Sequence, residues 1–405
     1  MKYYFLSGLF PTDFYDQIIE DSIGTIQYAA DALQKSFVEG FSEVLPNLEL
    51  VNFPLIEPYP KRYKRMFINF PDSEYISGNG RRVTCHNPTF CNLYEYKKTS
   101  LENSAYKFFL KELRTNDDPI CIIIYSITTS MMNACLRLKR RFGVRVKTVL
   151  IITDFPQFTY NNKKYFRRLY FEKYQRKIYE KGYEGMDAFV LLSRNMTELL
   201  PKRPWVVVEG IFNPCDDIIE IDNKDNAIRS ICYAGSISIQ YGIKDLVDAF
   251  MKTSNSNYRL IICGSGDAKK YIEECAKKDQ RIVYKGQIKR EQALALQRKA
   301  TLLVNPRTSK GEYTKYSFPS KTMEYLASGI PALIYRLPGI PEDYYSYCYS
   351  MKEENVDSFS LHIDTILSTD IKQLSELGKK AREFIIKNKN PITQCSKVKE
   401  LIDSL

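Results

Sequence analysis

The stretch Phe318-Pro-Ser-Lys-Thr-Met-Glu-Tyr-Leu-Ala-Ser-Gly329-Ile-Pro331 decides how the rest of the chain is read. Serine is a good helix N-cap, so the pattern predicts a helix beginning about Ser320. Glycine suits the residue that closes a helix and Pro331 bars continuation, so the helix ends at Gly329. Its first amides, those of Lys321 and Thr322, point out of a partly positive helix end where a diphosphate fits. Glu324, one turn further in, can accept two hydrogen bonds from a ribose diol. A helix-dipole acid without a ligand is the other reading of Glu324. Ser320, Lys321 and Glu324 in one capped turn favour the ligand.

Outward from this turn, apolar runs alternate with helical patterns along almost the whole chain. Strands are predicted at Tyr3–Leu6, Leu48–Val51, Cys121–Tyr125, Lys147–Ile152 and Ala188–Leu192. A second set is predicted at Ser230–Tyr233, Tyr258–Cys263, Ile282–Lys285, Leu302–Val304 and Ala332–Ile334. Most are short and rich in Ile and Val, as strands buried on both faces should be. Helices are predicted between them at Ile26–Glu43, Thr129–Phe142, Ile243–Met251, Ala268–Lys278 and Arg290–Ala300. This is the rhythm of a parallel α/β protein. The polar, proline-rich Pro201-Lys-Arg-Pro204 divides it into residues 1–203 and 204–385, with a last helix in 386–405.

Two glycine turns precede the decisive stretch. Ile231-Cys-Tyr-Ala-Gly235-Ser236 and Ile261-Ile-Cys-Gly264-Ser-Gly266 each run from a strand into glycine, and a helix follows. Glycine there lets backbone approach a phosphate closely, though a tight turn alone also calls for it. Gly8, after the first strand, has the same two readings: close approach to a donor, or strand–helix packing. Asp154 ends a strand, where ligands of open α/β sheets bind, so it could orient or deprotonate a hydroxyl. Its alternative is a loop-capping aspartate. Ser126, Thr128 and Thr129 end another strand and are further acceptor-side candidates. Backbone near Gly286-Gln287-Ile288 is expected to hold a base.

Composition limits the classes. The 405 residues suggest two domains, and 44% hydrophobic with 26% charged residues is the balance of a folded protein. The ten cysteines include no C-x-x-C pair and there are only two histidines, His86 and His362, which argues against a zinc site and against histidine chemistry. Cysteines in apolar runs fit a reducing compartment, so a cytoplasmic protein is expected. No run approaches the roughly 20 apolar residues of a membrane span, and the short apolar start stops at Gly8 like a first strand rather than a secretory leader. The net charge of +11 leaves phosphorylated substrates, anionic lipid and nucleic acid open, but no base-reading module is visible. Basic and aromatic residues interleave over 163–181. That pattern reads either as an amphipathic helix for an anionic inner membrane face or as a solvated helix packed on its domain.

Residues 230–345 resemble the C-terminal half of the family 4 ("group 1") glycosyltransferases. Phe318–Gly329 followed by Leu337-Pro-Gly-Ile-Pro-Glu342 looks especially like transferases of bacterial capsule and exopolysaccharide assembly. Ser7-Gly8 and Thr153-Asp154-Phe-Pro156 match more loosely. The resemblance implies the GT-B fold: two Rossmann-like domains facing each other across a cleft, with a C-terminal helix crossing back to the first. It also implies a nucleotide-sugar donor on the second domain, a UDP-sugar being favoured, and a glycan or polyprenyl-diphosphate-linked acceptor on the first. Transfer would proceed with retention and without a metal or other cofactor.

Two departures matter. The E-x7-E element of the family would place an acid at 316, where this chain has Tyr316. The Arg and Lys of the family's earlier G-R-x4-K-G segment align with Ser236 and Tyr241. A diphosphate without counter-charge is costly, so Arg307 and Lys321 are expected to stand in for the missing pair. Gly235, Ser236, Gly264, Gly266, Gln287, Ser320, Thr322 and Glu324 complete the expected donor site. A non-catalytic GT-B partner subunit that stabilises an active transferase is the alternative that these departures raise.

Overall fold

The computed structural model describes residues 1–159, 176–213 and 228–405. The chain forms two compact units, one of Met1–Asn213 with Asn390–Leu405 and a second that ends at Lys389.

The strands of the first unit are β1 (Lys2–Ser7), β2 (Leu48–Asn52), β3 (Phe67–Ile68), β4 (Ser73–Ile76), β5 (Arg82–His86), β6 (Phe90–Cys91), β7 (Ile120–Tyr125), β8 (Val146–Ile152), β9 (Ala188–Leu191) and β10 (Trp205–Val207). Eight of them make one sheet in the order β10-β9-β8-β7-β1-β2-β5-β4, while β3 and β6 pair separately. All neighbours in the large sheet are parallel except β4 and β5. Every residue of Ile-Cys-Ile-Ile-Ile-Tyr in β7 is buried, as a central strand covered on both faces must be. Burial alternates along β5, so that edge is solvated on one face. The proline-rich 201–204 link lies inside this unit, since the chain adds β10 beside β9 before it leaves.

The C-terminal helix Pro391–Asp403 belongs to this unit. Asn390 caps it by accepting from the Thr393 amide at 2.9 Å, and Pro391 occupies the first turn, where a missing N–H is harmless. Cys395, Val398, Leu401 and Ile402 form one face of the helix and join Phe5, Phe37 and Phe41 in a continuous core.

The second unit has β11 (Arg229–Ala234), β12 (Tyr258–Cys263), β13 (Ile282–Tyr284), β14 (Leu302–Asn305), β15 (Ala332–Tyr335) and β16 (Tyr349–Met351). They form a wholly parallel sheet in the order β13-β12-β11-β14-β15-β16. The order reverses at β11, the kind of switch point where open α/β sheets bind ligands beyond their carboxyl ends. Both units are therefore α/β with Rossmann-like sheets, as the sequence rhythm predicts. Among the described residues no helix is long and apolar enough to cross a membrane.

Candidate functional site

The loops beyond the carboxyl ends of β11, β12, β13 and β14 pack closely together. The Gly235 amide donates to the Cys263 carbonyl at 2.9 Å, and the Gly264 amide to the Gly286 carbonyl at 2.8 Å. Gly264 has φ +139°, and a Cβ there would stand 1.7 Å from the Gly235 carbonyl oxygen. A Cβ on Gly266 would stand 2.4 Å from the Ile237 oxygen. These glycines are thus required by turn-on-turn packing. The amides of Gly235 and Gly264 are held by neighbouring loops, so these two glycines shape the floor of the site rather than bind through their own N–H groups. Ser236, Ser265 and Gln287 remain exposed at the rim.

Two cations approach the segment that follows β11 from separate elements. Lys321, in the first turn of the helix Ser320–Ala327, donates from Nζ to the Ala234 carbonyl at the end of β11. A Cβ on Gly235 would meet Lys321 Cε at 2.3 Å. The ammonium therefore lies over the Gly235 turn, next to Ser236. It has two further N–H donors for a ligand. Arg307 follows β14 and donates to Ser317 Oγ at 3.1 Å. Its guanidinium lies 4.8 Å from the Tyr313 ring centre and 5.9 Å from that of Tyr241. Its Nε is buried without a partner. Gly242, beside Tyr241, packs on the Pro306 backbone, where a Cβ would stand 2.0 Å from the carbonyl oxygen. Lys321 and Arg307 thus stand beside the turns of Ser236 and Tyr241.

The helix start differs from expectation by one residue. Pro319 is the N-cap and Ser320 is the first helical residue, with no side-chain cap. The Thr322 amide turns back to the Pro319 carbonyl at 2.9 Å, so it does not project outward. The amides of Ser320 and Lys321 precede that bond and are the ones at the helix mouth. Thr322 is fully buried, its hydroxyl lacks a partner, and it supports the helix from inside. Gly329 closes the helix at φ +74°, as the sequence requires. Glu324 is half-buried, and its Oε1 accepts from Gln297 Nε2 at 2.9 Å. Gln297 was not among the residues singled out from sequence. Behind the β11 turn, burial pushes the Cys232 thiol up to about 12, so no thiolate acts there at neutral pH.

The first unit gathers the acceptor-side candidates at the carboxyl ends of its own strands. Gly8 follows β1, but its amide donates to the buried Gln34 Oε1 at 2.6 Å, and a Cβ would stand 2.5 Å from Leu55 Cγ. Both contacts are those of tight packing around the turn. Ser126 follows β7 at φ +66°, a strained conformation for a residue with a side chain. Its Oγ lies 3.4 Å from Thr153 Oγ1, which follows β8. Asp154 is exposed beside them. Burial, and then the Asp154 charge, raise the Tyr125 hydroxyl above its usual range. Next to Ser126 the helix Thr129–Phe142 begins, and a pocket of about 250 Å³ opens at its start between Lys98, Glu102, Thr129, Ser130, Asn133 and Tyr179.

Residues 216–384 match the family model of the glycosyl transferases group 1. No curated protein sequence matches the chain. Solved structures match it over its full length. The lipopolysaccharide outer core galactosyltransferase WaaB, in its apo form, is 15% identical with a TM-score of 0.62, covering 100% of this chain and 99% of that one. The Anabaena protein HepE in complex with UDP is 12% identical with a TM-score of 0.62, covering 100% of both. A trehalose-6-phosphate structure from E. coli bound with UDP-2-fluoro glucose is 10% identical with a TM-score of 0.62, covering 99% of each chain. The chain shares the fold of these structures, two Rossmann-like α/β units.

Tyr316, where the resemblance would place an acid, is 5% exposed and packs into the second unit. An ionised carboxylate so enclosed would need a partner, and an aromatic side chain removes that need. The histidines are engaged elsewhere. His86 lies between Asp72 and Glu49, at 2.9 Å and 3.1 Å, and His362 bonds the Ser358 carbonyl on its own helix. Of the basic segment 163–181, residues 163–175 lie outside the described residues. The part from Arg176 belongs to the helix Arg176–Glu184, where Arg176 pairs with Glu180 at 2.7 Å.

Proposed function

We propose that the chain transfers a sugar from a nucleotide-sugar, a UDP-sugar being favoured, to a lipid-linked oligosaccharide or similar acceptor in cell-surface polysaccharide synthesis. Transfer retains the anomeric configuration and uses no metal ion. The observation that carries this reading is the placement of Lys321 over the Gly235 turn and of Arg307 beside Tyr241, Gly235 and Tyr241 both lying in the segment that follows β11. Their charges, with the amides of Ser320 and Lys321, meet the negative charge that builds on the leaving diphosphate. Arg307 can grip two phosphate oxygens, and Lys321 acts as a point charge. Glu324 accepts from the ribose hydroxyls and so fixes the nucleoside. UDP in the HepE complex and UDP-2-fluoro glucose in the E. coli structure favour uridine as the base.

Acceptor recognition falls to the first unit. Asp154 orients the incoming hydroxyl, with Ser126 and Thr153 beside it. The basic segment 163–181 would bring the protein to an anionic inner membrane face, where a polyprenyl-linked acceptor resides. The test is incubation of the purified chain with labelled UDP-, GDP- and dTDP-sugars. Slow release of one nucleoside diphosphate, accelerated by membrane-extracted acceptor lipid, supports the reading. Tight binding of no donor and release of no nucleotide would leave the partner-subunit alternative, for which the buried Tyr316 is the motivating observation.

A further inference from the structure

We propose that Gln297 is a positioning residue for the nucleoside. It holds the Glu324 carboxylate in the rotamer that receives the ribose diol. This rests on the donor-site reading above.

Gln297 sits near the end of the helix Arg290–Lys299 and is 2% exposed. From there it donates Nε2 to Glu324 Oε1 at 2.9 Å, across 27 residues of sequence. Its own Oε1 is buried with no partner. A buried amide satisfied at one end only leaves its other end with the desolvation cost, so it adds little net stability. The arrangement makes sense through what it does to Glu324. A free glutamate side chain rotates about three bonds, and a ligand that needs one rotamer must overcome that freedom. Gln297 removes it in advance. A neutral amide does this without cancelling the carboxylate charge, as a lysine or arginine would. It engages one oxygen from the buried side and leaves Oε2 and the remaining acceptor capacity for two ribose hydroxyls. The roles are separable: Glu324 touches the nucleoside and Gln297 acts only through Glu324.

The role is read from ribose discrimination, which a merely structural residue would not alter. Calorimetry compares UDP with 2′-deoxyuridine diphosphate on wild type, Gln297→Met and Gln297→Leu (GDP and its 2′-deoxy form serve if guanine is the base that binds). The wild type should prefer the ribonucleotide by about tenfold. In both variants the preference should fall to about twofold or less, with affinity for the deoxynucleotide unchanged and melting temperature not lowered. Two differently shaped replacements guard against one of them folding poorly. Retained preference in a folded variant overturns the role of Gln297 and leaves the donor site intact. An equal loss for both nucleotides overturns it as well, since that marks general disturbance. A wild type that binds no nucleoside diphosphate overturns the donor reading itself.

Discussion

The Arg307 guanidinium, in the loop after β14, faces the Tyr241 ring at 5.9 Å, and we propose that it stands in for a cation at position 241. If that substitution is functional, Arg307→Ala should weaken nucleotide-sugar binding by about 10–100-fold, the range for a lost charge-assisted contact. Tyr241→Lys in the Arg307→Ala background should recover part of the loss. Calorimetry on both variants checks this, and unchanged affinity in Arg307→Ala would remove Arg307 from the site.

Two glycines next to each other should behave differently. A Cβ on Gly264 meets the Gly235 carbonyl oxygen at 1.7 Å, at a φ that L residues avoid. Gly264→Ala should therefore lose about 3 kcal/mol or more of unfolding free energy, since backbone has nowhere to move. A Cβ on Gly235 meets the flexible end of Lys321 and, at an ordinary 3.5 Å, the Tyr233 hydroxyl. Gly235→Ala should displace that ammonium, weakening donor binding several-fold while costing about 1 kcal/mol or less of stability. Denaturant titration and donor binding on the same two variants separate the outcomes.

Ser126 carries φ +66° without being glycine. Ser126→Gly should relieve backbone strain and raise stability by about 0.5–1 kcal/mol. If the Ser126 hydroxyl meets the acceptor, the same change should lower kcat/KM for acceptor while donor affinity stays constant. A more stable variant with full activity would make the strain purely structural.

Lys97 provides a pH-dependent test away from the donor site. Its Nζ donates to the Ile56 carbonyl and is enclosed although the residue keeps some exposed surface. Burial, only partly offset by Glu57, pulls its pKa down to about 8 from 10.5. Between these values the unfolded chain binds a proton that the folded chain does not, so this group's contribution to stability rises with pH across that window. Below about 8 the full penalty is present. Lys97→Met should therefore be more stable than wild type by about 1–2 kcal/mol at pH 7, with the gain shrinking towards pH 10. A gain that does not change with pH would contradict the burial argument.

The sequence made the central strands legible because runs such as Cys121-Ile-Ile-Ile-Tyr125 admit no other use than a doubly covered strand. The helix Lys97–Thr115 escaped because its polar residues dilute the pattern. Leu101, Ala105, Phe109 and Leu113, its buried face, nonetheless recur every fourth residue and could have revealed it. The short Trp205–Val207 strand was hidden by prolines that read as a domain link. In the site, the decisive turn and its Gly329 stop were legible, whereas the start was misplaced because Ser320 resembles a cap although Pro319 holds that position. Gln297 left no trace, since a buried amide reaching a carboxylate on another helix has no local pattern.

The most direct measurement of the central claim is a thermal-shift and calorimetric panel of UDP-, GDP- and dTDP-sugars on wild type and Lys321→Ala. The account predicts that one base class, uridine favoured, stabilises the wild type by a saturable shift, and that Lys321→Ala lowers affinity for that donor by about tenfold or more. No stabilisation by any nucleotide-sugar, or equal binding by wild type and Lys321→Ala, would contradict it.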